Sequence, residues 1–386
     1  MFKVVVGHSE EVDTLDAVEA VLQLCQEDLG KLVPQAGILY SAMQYEHQVI
    51  LDRILEEYPE LELIGCTTDG ELSSCLGCAE DSITLMLLYS DTIEIKSGRG
   101  KNLSAGAMIA ATCAVDEASS ELKNSPAFCV TLAESVTLGG VAIIDALKEK
   151  LGREFPIFGG LAADQWSMTK TYQFYKREIL VDSIAVLMFA GPILFSSGIA
   201  SGWTPIGHKK KVTKVDHNKV YEVDGGAILD FYNRYLGGNY SRVPTEYPLA
   251  VFPEENSDKF YVRSPYTFNH EDKSITFFGD VPQGVTVQLV SGSIAKMSEA
   301  SEQALKTAVE GYPGCQPDAA MVFTCSARKA ILGMHVSKEY EYLQKNMPQG
   351  FPFNGFYTYG EIAPLENGKE SYFHNGTIAV ILIGEK

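Results

Sequence analysis

One pattern occurs three times along this chain, and it restricts the fold more than any other feature of the sequence. Each copy opens with a helical segment whose apolar residues recur three or four apart, over residues 14–29, 103–122 and 293–309. Asp13, Asn102 and Ser291 or Ser293 stand where a side-chain oxygen can accept from the first free amides of those helices. A short, continuously apolar strand follows at 36–42, 127–133 and 319–327, the composition needed where a sheet is covered on both faces. A second helix comes next, at 46–58, 140–151 and about 333–346, with prolines just beyond to stop it. Then come a glycine-bearing polar turn (63–71, 156–166, 352–361) and a pair of strands whose more apolar members are 81–88, 182–189 and 375–383.

Strands alternating with helices in this order predict an α/β fold: repeated strand-helix-strand units forming mixed sheets flanked by helices. A chain of 386 residues exceeds one ordinary core and divides into two domains with internal repeats. The division expected is 1–208, holding two units, and 209–386, holding a divergent segment and the third unit. The boundary is read from the change of pattern at 204–222, around the basic run Lys209-Lys-Lys211. The divergent segment reads as a short helix over 224–236, ending at Gly237-Gly238, and strands at 247–252, 260–263 and 274–278.

Charge removes several classes of function. Lysine and arginine number 31 against 50 acidic residues, a net charge of −19, which repels nucleic-acid backbones and anionic membrane surfaces alike. The start carries one cation and too short an apolar run for an export signal, and no stretch approaches the ~20 apolar residues of a membrane helix. A soluble, cytoplasmic protein is expected. Its eight cysteines are then reduced, and Cys75-Leu-Gly-Cys78 with Cys66 lacks the second ligand pair that a metal site requires. Phosphate loops of the GxxxxGK[ST] type, GxSxG elbows and HExxH pairs are all missing from the sequence.

The three aligned turns are where a ligand site is expected, because equivalent turns of related units gather at one edge of their sheets. Asp69 and Glu71, Asp164 and Gln165, and Tyr357, Tyr359 and Glu361 would line it.

At these residues the sequence resembles a known family. Ile64-Gly-Cys-Thr-Thr-Asp-Gly-Glu71, Phe158-Gly-Gly-Leu-Ala-Ala-Asp164, Gly225-Gly-Ala-Ile-Leu-Asp-Phe-Tyr232, Phe278-Gly-Asp-Val-Pro-Gln-Gly284 and Phe373-His-Asn-Gly-Thr-Ile-Ala-Val-Ile381 resemble, in order, the FIST sensory module with its N-terminal and C-terminal halves. The resemblance covers almost the whole chain. It implies signal transduction by binding a small ligand, amino acids among them, without catalysis. A stand-alone subset of similar size resembles haem-based nitric-oxide sensors acting on a separate histidine kinase, so the output would pass to such a partner or another signalling protein.

Each ligand makes its own demand. An amino acid asks for a fork of donors for its carboxylate, which Arg263 or Arg328 would supply in a chain short of arginine. Haem asks for an axial histidine in an apolar pocket, and of the seven histidines His374 and His335 are the candidates. The rival class is an enzyme acting on a small metabolite through Cys325 or the turn carboxylates.

Overall fold

The computed structural model describes residues 1–237, 247–254 and 258–386. The three copies form three units of one plan. Unit 1 runs through strand Phe2–Ser9, helix Thr14–Leu29, strand Ala36–Ser41, helix His47–Glu57, strand Glu62–Thr67, hairpin Glu71–Ser73/Gly77–Ala79 and strand Ile83–Ser90. Unit 2 repeats this with strand Glu94–Lys101, helices Ala107–Ser119 and Gly140–Leu151, strands Pro126–Ala133 and Ile157–Leu161, hairpin Gln173–Tyr175/Glu178–Leu180 and strand Ser183–Ala190. Unit 3 begins with strand Ile193–Ala200, and after an insertion continues through helix Ile294–Glu310, strand Ala319–Cys325, helices Ser326–Leu332 and Ser337–Asn346, strand Phe353–Thr358, hairpin Glu361–Pro364/Ser371–His374 and strand Ile378–Glu385.

The hairpins do not stay with their own units. Each unit supplies four strands of a six-stranded sheet and the remaining two come from a hairpin of another unit. The hairpin of unit 2 pairs with strand Glu62–Thr67 of unit 1, that of unit 3 with Ile157–Leu161 of unit 2, and that of unit 1 with Phe353–Thr358 of unit 3. The exchange is cyclic. Within each sheet the two central strands are parallel, as the helix crossover between them requires, and the flanking strands are antiparallel.

The inner faces of the three sheets share one apolar core, with Ile38 and Ile64, Phe128 and Phe158, and Phe323 and Phe356 contributed by the three units. The outer faces are covered by each unit's own helices. Gly7, Gly98 and Gly198 hold one position in the three edge strands, and a Cβ there would lie 2.3, 2.1 and 1.9 Å from the helix carbonyls of Val21, Ala114 and Ala304. Helix and strand therefore touch backbone to backbone in all three units, and any larger residue would push them apart.

Asp13 caps its helix by accepting from Leu15 and Asp16, and Ser293 accepts from Lys296. Asn102 does not cap; it is left-handed, and the Asp182 carboxylate accepts the Ser104 amide instead. The expected division at 208/209 falls within the long strand Trp203–Asp216, while unit 3 opens earlier, at Ile193. Between Trp203 and Gly292 lies the inserted segment, an antiparallel sheet with helix Ile228–Leu236, stopped by left-handed Gly237. Gly238 lies outside the described residues.

Candidate functional site

The three glycine turns do converge. Thr67, Leu161 and Tyr357 hold equivalent places and donate their amides to the carbonyls of Tyr172, Gly360 and Gly70, each carbonyl just ahead of a visiting hairpin. The first residues of those hairpins are Glu71, Gln173 and Glu361, all fully buried. Each receives a hydrogen bond from a residue at, or immediately before, the start of its unit's last strand: Ser82 to Glu71, Ser183 to Gln173 at 2.8 Å, and the Thr377 amide to Glu361 at 3.0 Å. Matching the turns by sequence puts Asp164-Gln165 in the middle copy's place, whereas the structural equivalent is Gln173. The longer loop 162–172 of unit 2 hides it.

Glu71 and Glu361 are therefore interior groups, not the lining of a ligand face. Burial pushes the Glu71 carboxyl up to about 7 against its hydrogen bonds from Ser82 and Thr68, and the Glu361 carboxyl up to about 8 against those from Thr377. His8 bridges Ser73 and Ser82 at 2.7 and 2.8 Å, and its own burial holds it down at about 4, so it stays neutral beside Glu71. Tyr357 is interior too, its hydroxyl donating to Glu339 at 2.8 Å.

Arg328 is likewise not a ligand's arginine. It is fully buried and paired with the equally buried Glu339 at 2.6 Å. Its Nε also donates to Glu339, its Nη1 to the Ser201 carbonyl and its Nη2 to the Met297 carbonyl and Ser301. No fork is left over.

Asp69, Asp164, Gln165 and Tyr359 do lie together, around the loop 162–172. The Asp164 carboxylate accepts from the amides of Met168, Thr169 and Lys170 and, at 2.8 Å, from the Tyr359 hydroxyl. Burial alone would raise its pKa; those donors outweigh burial and hold it below the usual range. The loop they tie down carries left-handed Gln165, Trp166 and Met168, and the Trp166 ring lies 5.8 Å from that of Tyr359. Beside it a cavity of about 410 Å³ is bordered by Asp69, Glu80, Gln165, Trp166 and Lys329. Burial raises the Asp69 carboxyl, offset in part by Lys329, which also reaches Glu80 at 2.7 Å. Asp164→Ala is expected to speed hydrogen exchange at 168–170 at least tenfold while the urea midpoint moves little, since only local bonds are lost.

Neither histidine candidate stands in an open apolar pocket. His374 is fully enclosed, Nε2 against the Ala363 carbonyl at 2.9 Å and Nδ1 unpartnered, and burial lowers its pKa to about 3. His335 is exposed in the 3-10 turn Gly333–His335. The Cys325 thiol is buried and pushed well up by that burial, the wrong direction for a nucleophile. Burial likewise raises Cys75, and takes Cys78 to about 12. Among the described residues no cluster of histidine, cysteine and carboxylates has metal-binding geometry.

Arg263 has the setting that Arg328 lacks. It borders a cavity of about 520 Å³ at the seam between unit 2 and the insertion, with Ile144, Asp145, Tyr261, Asp280 and Phe373 also on its walls. The side chain is buried, Nε donating to the Asp280 carbonyl and Nη1 to those of Val262 and Phe373. Burial lowers its pKa, and the nearby Asp280 and Asp145 charges only partly compensate. The cavity's residues come from separate stretches at 141–148, 215–217, 261–263, 280–283 and 372–373, so no single local spacing announces them. The scarcity of arginine was the signal that could find Arg263, and it could not separate Arg263 from Arg328.

Comparison with known proteins assigns the chain. Residues 35–226 match the FIST N domain and residues 229–364 the FIST C domain. An uncharacterized protein of Methanocaldococcus jannaschii is 27% identical over 289 residues, 67% of this chain and 54% of that one. The chain thus spans about half the length of this curated relative. Among solved structures, cyanuric acid hydrolase from A. caulinodans aligns over 100% of this chain and 99% of its own at 9% identity, TM-score 0.42. A second cyanuric acid hydrolase aligns over 100% of both chains at 7% identity, TM-score 0.39. Likenesses this remote carry no argument about activity. The two domain matches together take in most of the sequence, and the chain belongs to the FIST family of signal-transduction sensor proteins.

Proposed function

We propose that this protein is a cytoplasmic sensor that binds a small organic ligand, an amino-acid-like metabolite, in the Arg263 cavity. It would pass the signal to a separate protein such as a histidine kinase, with no turnover of its own. The observation that carries this reading is where the cavity lies. Val141, Ile144 and Lys148 on one wall belong to helix Gly140–Leu151 of the repeated body, and Tyr261, Arg263 and Asp280 on the other belong to the insertion. A ligand touching both walls binds differently when the two move, which is the condition for a ligand to shift a conformational equilibrium. Binding without turnover is supported by the buried, raised thiol of Cys325 and by turn carboxylates engaged with the protein's own donors.

Free amino acids added one at a time are expected to slow hydrogen exchange in 260–283 and 141–148 together and to be recovered unchanged. Chemical conversion of the ligand by clean protein, or protection on one wall only, would overturn the reading.

Haem and nitric oxide fit the residues less well, because the enclosed His374 and the exposed His335 offer no axial nitrogen facing an apolar cavity. Titration with haemin is expected to give no stoichiometric Soret shift. A stoichiometric shift abolished by His374→Ala or His335→Ala would restore that reading.

A further inference from the structure

We infer that Arg263 anchors the carboxylate of a small monoanion with an apolar body, and that the acidic rim of its cavity excludes ligands carrying a second negative charge. This rests on the sensor reading only for its location; the chemistry is that of the site.

A buried cation normally has a carboxylate against it, because an unpaired charge away from water is costly. Lys148, on the same cavity, follows the rule, with Asp145 at 2.8 Å and Glu370 at 2.9 Å. Arg263 does not: among the described residues no carboxylate oxygen comes within 4.0 Å of its guanidinium. Three backbone carbonyls take Nε and Nη1, and among the described residues Nη2 makes no hydrogen bond. That nitrogen is not among the sealed, unpartnered atoms of the interior, so it is left to the cavity that Arg263 lines.

The guanidinium is also held in place. The Tyr261 ring lies 4.3 Å from its central carbon and the Phe373 ring 5.3 Å. Gly279 leaves the room this needs, since a Cβ there would be 3.0 Å from Arg263 Nε and from the Phe373 ring. A planar donor fixed by stacking, with the two N–H groups of Nη2 left unpartnered among the described residues and no internal anion, matches a carboxylate.

The remaining lining sets what is attached to that carboxylate. Val141, Ile144, Val281, Pro282 and Tyr372 give apolar wall for a branched or aromatic body. Asp145, Asp280 and His217 border the same cavity; Lys148 is already committed to Asp145 and Glu370, and the His217 ring lies 3.8 Å from the Asp280 carboxylate. One unpaired cation therefore faces two carboxylates. A single ligand carboxylate can be held by Arg263, while a second would meet the aspartates with no cation to answer it. A plain carboxylic acid and an amino acid share this chemistry; in the second case the ammonium would face the aspartates.

Isothermal titration of the full chain with phenylacetate, phenylalanine, leucine, succinate and inorganic phosphate tests the inference. Saturable binding is expected for at least one of the first three, and phenylacetate against phenylalanine tells the acid from the amino acid. Succinate and phosphate are expected to bind at least tenfold more weakly. Arg263→Lys should reduce affinity at least tenfold. Because Arg263 also ties three carbonyls, Val141→Trp, which fills the cavity and spares the arginine, should abolish binding with the fold intact. Asp280→Lys should admit succinate. No binding by any of the three monocarboxylates, equal binding of succinate by the native protein, or undiminished binding by a folded Val141→Trp variant would overturn it. Binding that obeys these rules without the two-walled exchange protection would instead remove the sensor reading and leave this one standing.

Discussion

Replacing Glu71 and Glu361 together by glutamine should flatten the fall in stability that the native protein shows between pH 5 and pH 8. Both carboxyls sit in the interior with pKa values near 7 and 8, against 4.5 when exposed. Below pH 4.5 both folded and unfolded chains hold these protons. As the pH rises the unfolded chain releases them first, so the folded state loses its advantage progressively until its own carboxyls ionise. Glutamine keeps the shape and does not titrate. The native molecule already contains this substitution, because Gln173 occupies the same place in unit 2, accepting from Ser183 at 2.8 Å and donating to Thr171 at 3.3 Å. Relative to the native protein the double variant should gain on the order of 6 kcal/mol between pH 5 and pH 8. Urea midpoints at four pH values measure this, and parallel curves for the two proteins would remove the explanation.

Cutting the buried pair should cost more. Arg328→Met leaves Glu339 enclosed with only hydroxyl partners, Tyr357, Thr324 and Ser301, and Glu339→Met leaves the guanidinium with carbonyls and Ser301. Either is expected to destabilise the fold by about 3–5 kcal/mol. The double change to methionine removes both charges and should recover much of the loss, so the two single effects will not add. Ligand affinity at Arg263 is the contrasting readout: mild variants at Arg328 that still fold, such as Arg328→Lys, should leave it unchanged.

The sequence reveals most where structure is local. Helices Thr14–Leu29 and Gly140–Leu151 begin and end where spacing and flanking glycine or aspartate predict. The third unit's second helix departs from its expected 333–346. Its first stretch starts at Ser326, inside what reads as the end of a strand, and it is interrupted at Gly333, whose φ is 50°. Ser-Ala-Arg-Lys-Ala suits either state, and only the parallel neighbour Phe353–Thr358 ends the strand at Cys325. The turn residues divide for a similar reason. Asp69, Asp164, Gln165 and Tyr359 gather as their shared position predicts, whereas Glu71 and Glu361 are enclosed because each opens a hairpin strand, and Tyr357 because it still belongs to strand Phe353–Thr358. Nothing near Arg263 or Arg328 shows that one meets a carboxylate from a later helix and the other meets none.

The exchanged hairpins have a consequence for assembly. A single unit cut from this chain would carry a hairpin with no sheet to receive it and a sheet edge with no hairpin to cover it. Both wants run in one direction around the molecule, so a partner that satisfies one creates the next, and the chain of debts closes only at the third copy. Such a unit is a head-to-tail protomer whose closed form is a ring of three. The intact polypeptide is that ring written covalently, with its insertion free to differ because it lies outside the interlock.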